Sequence, residues 1–223
     1  METPTPTSAA REANPVSEFS AIFPPKFTVL GVNLLPLSLG RYRLMKWAGI
    51  AFVAEEECSA TIEDLFSGIA ICGMPCSQFK YLLASSLLEK ELGRWGKKLR
   101  KQIRKEKAFN IFEKIALFNR YINEGQQLPW VPLAVQNENP PDYTNTHWSN
   151  SVEVILRGKL GWTKDEIDEE PLTKALGDYF KHMENEGQVR LIPHELYQQM
   201  VDEGEANMKA FEKMAAKEAT CPA

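Results

Sequence analysis

Residues 34–47 read LLPLSLGRYRLMKW. The run starts apolar and strand-like, turns at Pro36, and then becomes basic and aromatic. A membrane segment, a nucleic-acid contact and the opening of a folded core are three competing readings. The membrane reading fails on length and charge. A spanning helix needs about 18 or more uncharged apolar residues, and the nearest candidate, 27–54, carries Arg41, Arg43 and Lys46 in its middle. The nucleic-acid reading is poor because three cations are few. Local structure remains. Pro36 lacks an amide hydrogen and so ends easy strand pairing. Ser38 can cap a helix, and Leu39, Tyr42 and Met45 then share one face. Gly49 closes that helix.

Upstream, Phe27, Val29, Val32 and Leu34 predict one or two short strands with a bend at Gly31-Val32-Asn33. Residues 1–20 are polar and rich in Pro, Ser and Thr, without the apolar stretch of a secretory signal. They have little apolar surface to offset the entropy of ordering, so a disordered tail is expected there.

Downstream, Thr61 with Asp64 forms a capping box. The helix it starts sets Ile62, Leu65, Phe66, Ile69 and Ala70 on one side. Gly73-Met74-Pro75 breaks it. From Cys76 to Glu124 apolar residues recur at intervals of three and four, including Phe79, Leu82, Leu83, Leu87, Leu88, Leu92, Trp95, Leu99, Ile103, Phe109, Phe112 and Ile115. Gly93 and Gly96 each cost about 1 kcal/mol in a helix. Two helices, 77–92 and 97–123, are therefore expected, with a bend or break near the glycines. Residues 125–146 hold four prolines and read as an extended connector, docked in part through Trp130 and Leu133.

The last third is helical. Trp148, Val152, Ile155 and Leu156 mark one helix. Thr163 with Glu166 is a second capping box. Pro171 opens a helix with Leu172, Leu176, Tyr179, Phe180 and Met183 inward, and Gly187 stops it. QVRLI, 188–192, suits a short extended piece, and a terminal helix follows over 193–219. The expected fold is mainly α, in helical subdomains with a small N-terminal β element. Its expected divisions are a tail over 1–20, a β element plus helices over 21–124, the connector 125–146 and a C-terminal helical subdomain over 147–223.

The 223 residues carry a net charge of −4 and a pI near 5.6. Whole-molecule adhesion to nucleic acid or anionic membrane does not fit that balance. A local patch does. Between Arg94 and Lys107, RWGKKLRKQIRKEK holds eight Lys or Arg against one Glu. Arg94, Lys97, Lys98, Arg100, Lys101, Arg104 and Lys105 are the candidate partner-binding residues. The patch reads as a solvated helix face, as a dock for an acidic protein, or as a phosphate-binding face with Trp95 as a stacking platform.

Other chemistry finds little support. Cys72 and Cys76 are separated by three residues, whereas redox and zinc motifs use two. His147, His182 and His194 form no ligand pair. Cys58, Cys72, Cys76 and Cys221 read as reduced thiols in the cytoplasm. Helix-turn-helix spacing over 149–180 is offset by the net charge of −5 between Thr163 and Gly187, which phosphates would repel. Glycine-rich phosphate loops, nucleophile elbows and HExxH are absent from the sequence. No enzyme activity, metal or cofactor is expected.

Two stretches carry a family likeness. LLPLSLGRYRLMKW together with TIEDLFSGIAICGMP, 61–75, resembles small proteins of phage and prophage tail-gene neighbourhoods. There a Leu-Pro-x-Ser-Leu-Gly turn enters a helix, and a second helix ends in an apolar-Cys pair. LGWTKDEIDEEPLTKALGDYFKHMENEG, 160–187, is similar to the helical segment of tail assembly chaperone-like proteins. The resemblance implies a non-enzymatic protein acting in the host cytoplasm or on the particle. It would bind the tape-measure or tube protein and keep apolar helices from aggregating. The basic face at Arg94–Lys107 and a Met-rich helix from Met200 to Met214 would suit docking. A nucleic-acid-associated protein using the basic helix is the alternative.

Overall fold

The computed structural model describes residues 25–54, 59–84, 87–106, 109–135 and 147–219. Among them the chain forms nine α-helices and four short strands. The protein is mainly helical, with a small N-terminal hairpin. The expected tail over 1–20, the thiols Cys58 and Cys221, Lys107, and the connector residues 136–146 lie outside the described residues.

The described residues fall into two compact units, one comprising 25–128 and 147–179 and the other 129–135 and 180–219. The larger unit opens with β1 (Thr28–Val29) and β2 (Val32–Asn33), paired antiparallel. The turn sits at Leu30-Gly31, one residue earlier than the sequence suggests. Both residues have positive φ, 50° and 70°, as a tight hairpin turn demands. Leu30 tolerates this conformation while burying its side chain.

Helix α1 (Leu39–Trp47) follows, capped by Ser38, whose Oγ accepts from the Arg41 amide. It buries Leu39, Tyr42, Leu44 and Met45. A 3-10 turn over Ala51–Val53 leads on. Helix α2 (Ile62–Cys72) starts at the full Thr61–Asp64 capping box. It is the most buried helix, with Leu65, Ile69, Ala70, Ile71 and Cys72 wholly shielded. Helix α3 (Cys76–Ala84) comes next. Helix α4 (Leu88–Ile103) then runs unbroken through Gly93 and Gly96, which corrects the expected break. The breaks lie instead between α3 and α4 and after Ile103, so the expected 97–123 helix is interrupted before Ile111. Burial of Leu88 and Leu99 outweighs a propensity cost of about 1 kcal/mol per glycine.

Helix α5 (Ile111–Gln126) is capped by Asn110. It buries Phe118, Tyr121 and Ile122 and leaves Phe112 exposed, so Phe112 does not join the core as its spacing suggests. Helices α6 (Trp148–Gly158), α7 (Lys164–Glu169) and α8 (Leu172–Asn185) complete the helical set around this core. Helix α7 has the second capping box, Thr163–Glu166. The boundary between the units falls inside α8, after Tyr179.

In the smaller unit β3 (Trp130–Ala134) pairs antiparallel with β4 (Val189–Pro193), with Pro132 opposite Leu191. The Trp130–Leu133 part of the connector is thus a sheet strand. Helix α9 (His194–Ala219) leaves β4 directly and packs on both strands.

Candidate functional site

The basic sequence run lies on α4 as far as Ile103, with Arg104 and Lys105 just after its end. At 100° per residue, Arg94, Lys97, Lys98 and Lys101 fall within an arc of about 100°. Leu88, Leu92, Trp95, Leu99 and Ile103 take the opposite side, where α4 packs on α2 and α3. All seven predicted residues are exposed. Lys90 shares their phase, four residues before Arg94, and is also exposed. It was legible from that spacing but lies outside the dense part of the run.

These cations are not equivalent. Arg94 pairs with Glu91 at 2.9 Å. Arg100 turns away from the stripe, pairing with Glu63 at 3.1 Å and lying 5.8 Å from the Phe66 ring. Lys98 caps the Trp95 ring at 4.5 Å. Lys90, Lys97, Lys101, Arg104 and Lys105 have no acidic partner among the described residues. The stripe from Lys90 to Lys101 is about 17 Å long, with neighbouring charges inside a Debye length of about 8 Å. Its field therefore adds up, and an opposing acidic surface would lower the repulsion. Trp95 is half-buried, reaches the Gly73 turn and is covered by Lys98, so it is poorly placed to stack on a base.

The second constellation centres on Gly40-Arg41-Tyr42-Arg43. Arg41 is 1% exposed. Its guanidinium donates to Pro36 O (3.1 Å), Ser38 Oγ (3.2 Å), Met74 O (3.3 Å) and Glu169 Oε2 (2.8 Å). Glu169 Oε1 accepts from the Cys76 amide at 2.6 Å. Ser38 Oγ and Cys76 Sγ both donate to Asp168 O, the latter at 2.9 Å. Arg43 donates to Ser149 O at 2.6 Å and to Asn150 Oδ1 at 3.1 Å, and it pairs with Glu153. Tyr42 packs on Trp148 with ring centroids 5.1 Å apart. This tetrapeptide therefore ties α1 to α2, α3, α6 and α7. Sequence spacing does not show it, because most partners lie more than 100 residues away.

Cys72 and Cys76 are free and buried. Burial pushes the Cys72 thiol up to about 12. Burial also raises Cys76, against the nearby Arg41 charge. Neither is a thiolate at neutral pH, so neither is an activated nucleophile. Among the described residues, no group of three or more His, Cys, Asp or Glu could hold a metal. No described helix is long and apolar enough to cross a membrane.

No protein-family model, curated protein or solved structure matches the chain.

A cavity of about 390 Å3 opens beside the Arg41 cluster, between Leu44, Trp47, Phe79 and Leu83. Its cations are already engaged. Lys80 is held by Asp165 and Asp168, and Lys164 by Glu153 and Asp168. Among the described residues of the larger unit, α4 carries a run of exposed cations without an acidic partner.

Proposed function

We propose that this chain is a non-catalytic binding protein of phage tail assembly, working in the host cytoplasm. Its α4 face docks an acidic surface of a tail component, the tape-measure or the tube protein. The observation that carries this reading is the exposed stripe Lys90, Lys97, Lys98 and Lys101, fixed on a helix whose opposite side is packed. Such a face recruits an oppositely charged partner quickly and sets its orientation. The likeness to tail assembly proteins supplies the kind of partner. The stretches that carry it, 34–47, 61–75 and 160–187, contribute most of the contacts around Arg41. Of these stretches, 61–75 supplies α2, on which α4 packs.

The test is co-purification with the tape-measure and tube proteins of the same genome. Wild-type chain should retain one of them. Lys97→Glu/Lys98→Glu/Lys101→Glu should weaken retention about tenfold or more, which is about 1.4 kcal/mol. Retention of neither protein would defeat the proposal. The same variant separates the nucleic-acid alternative: a mobility shift with DNA or RNA at low salt, lost in the variant and steeply salt-dependent, would favour that alternative.

A further inference from the structure

We propose that the groove between α1 and α3 binds a medium-chain fatty acid, its carboxylate at the α7 end and its chain running out toward Trp47. Leu44 and Trp47 of α1 face Phe79 and Leu83 of α3 across a volume of about 390 Å3. Leu44 and Phe79 are buried and form the floor, whereas Trp47 is 69% and Leu83 43% exposed. The Gly40 backbone and the Cys76 thiol both abut Asp168, so the two lining faces start together at α7. Trp47 and Leu83 lie seven residues further on, about 10 Å along their helices, the reach of an extended chain of about eight to ten carbons. A small pocket of this volume, mostly apolar with a few polar groups at one end, is the common form of a small-molecule site.

The polar end selects the head group. Four cations meet three carboxylates there. Glu153 pairs with Arg43, Arg157 and Lys164. Asp168 pairs with Lys164 and Lys80, and Asp165 with Lys80. Arg41 and Glu169 alongside neutralise each other. The set is therefore one negative charge short. Lys80 faces its two carboxylates at 2.6 and 3.1 Å, and Lys164 faces both of its own at 3.2 Å. Each ammonium has three hydrogens, so one remains on each side of Asp168. A single carboxylate supplies two oxygens for those two donors and one charge for the surplus. An alcohol leaves the surplus in place, an alkylamine adds to it, and a phosphate monoester overshoots it. A peptide C-terminus would bury its amides against apolar walls without partners. Asp165 is 87% exposed, so its pair with Lys80 is weak and yields readily.

Decanoate titrated into the full chain tests this, with Trp47 fluorescence and calorimetry as readouts. Emission should shift to the blue as Trp47 leaves water, and Trp47→Phe should remove that shift. Decanoate should bind at least tenfold more tightly than decanol. It should bind about fifteenfold more tightly than octanoate, at about fourfold per methylene. Lys80→Met leaves three cations for three carboxylates. It should weaken decanoate at least tenfold and leave decanol unchanged. Asp165→Asn enlarges the surplus and should tighten decanoate about twofold or more. Leu83→Glu, on the exposed wall, should abolish binding. Hydrogen-exchange protection of Ile62–Cys72 shows that each variant is folded. No binding of decanoate at millimolar concentration, equal affinity for decanol or octanoate, or indifference to Lys80→Met would each overturn the proposal. So would a short peptide with an apolar C-terminal residue that matches decanoate, which would assign the groove to a protein terminus. The α4 variant Lys97→Glu/Lys98→Glu/Lys101→Glu should bind decanoate unchanged, which separates this site from the tail-partner face.

Discussion

A guanidinium taken out of water is tolerated only where its N–H groups find acceptors. Arg41 meets most of that demand through its two terminal nitrogens, with two backbone carbonyls, one hydroxyl and one carboxylate, while its Nε–H is buried with no acceptor among the described residues. Those carbonyls belong to chain turns at Pro36 and Met74, so one side chain fixes two turns and the end of α7. Lysine carries a compact charge that cannot span such a fork. Arg41→Lys should therefore cost about 2–4 kcal/mol in chemical denaturation. Glu169 is 41% exposed, so Glu169→Gln should cost only about 1 kcal/mol. Equal losses for the two would show that the ion pair, rather than the carbonyl network, dominates. Gly40 is explained at the same scale. A Cβ there would lie 2.8 Å from Asp168 O, so glycine is what lets α1 and α7 touch. The sequence makes the capping role of Ser38 and the burial of Tyr42 and Met45 legible, because both are local. The arginine hub was hidden, since Met74 comes 33 positions later in the chain and Glu169 comes 128 positions later.

Elements show the opposite balance. Both capping boxes, Thr61–Asp64 and Thr163–Glu166, are read directly from a three-residue spacing and form as reciprocal hydrogen bonds. Helix α4 is where local signals mislead. Its two glycines announce a break, yet its amphipathic pattern has a longer reach and decides the outcome. The side-chain positions at Gly93 and Gly96 are open, with no atom within 4 Å of an added Cβ. Alanine there would keep the helix and reduce the freedom of the unfolded chain. Gly93→Ala and Gly96→Ala should each stabilise the protein by about 0.5–1 kcal/mol. Their urea midpoints should rise with unchanged slope. A lower midpoint for either would mean that α4 needs its glycines for a bend or a close partner. The strand pair β3–β4 was only half legible. Each strand looks extended in sequence, but nothing local says that Val131 meets Ile192.

Across the whole molecule, the charged groups set how stability answers to pH. On the acid side, burial pushes Glu153 up, but Arg43 and Lys164 outweigh it and hold the carboxyl below its usual range. Its contribution is present near neutrality and lost as pH falls through that depressed value. The alkaline side is governed by the core. Burial carries Cys72 from 9.0 to about 12. Burial, with Cys72 alongside, raises Tyr121 well above 10.0. Below about pH 9 folded and unfolded chains both keep these protons, and the contribution is complete. Above it the unfolded chain releases protons that the folded chain retains. Stability must then fall as pH rises from about 9 toward about 12, by up to about 1.4 kcal/mol per pH unit for each group. Cys72→Ala removes one of the raised core protons from this balance, leaving those of Tyr121 and Cys76. It should lower stability at neutral pH by leaving a small void, yet flatten the alkaline slope between pH 9 and 12. Urea titrations of both proteins across that window check the difference. An unchanged slope would mean that the Cys72 proton is not held by the folded core, and that the α1–α2 interface admits water where Cys72 faces Met45.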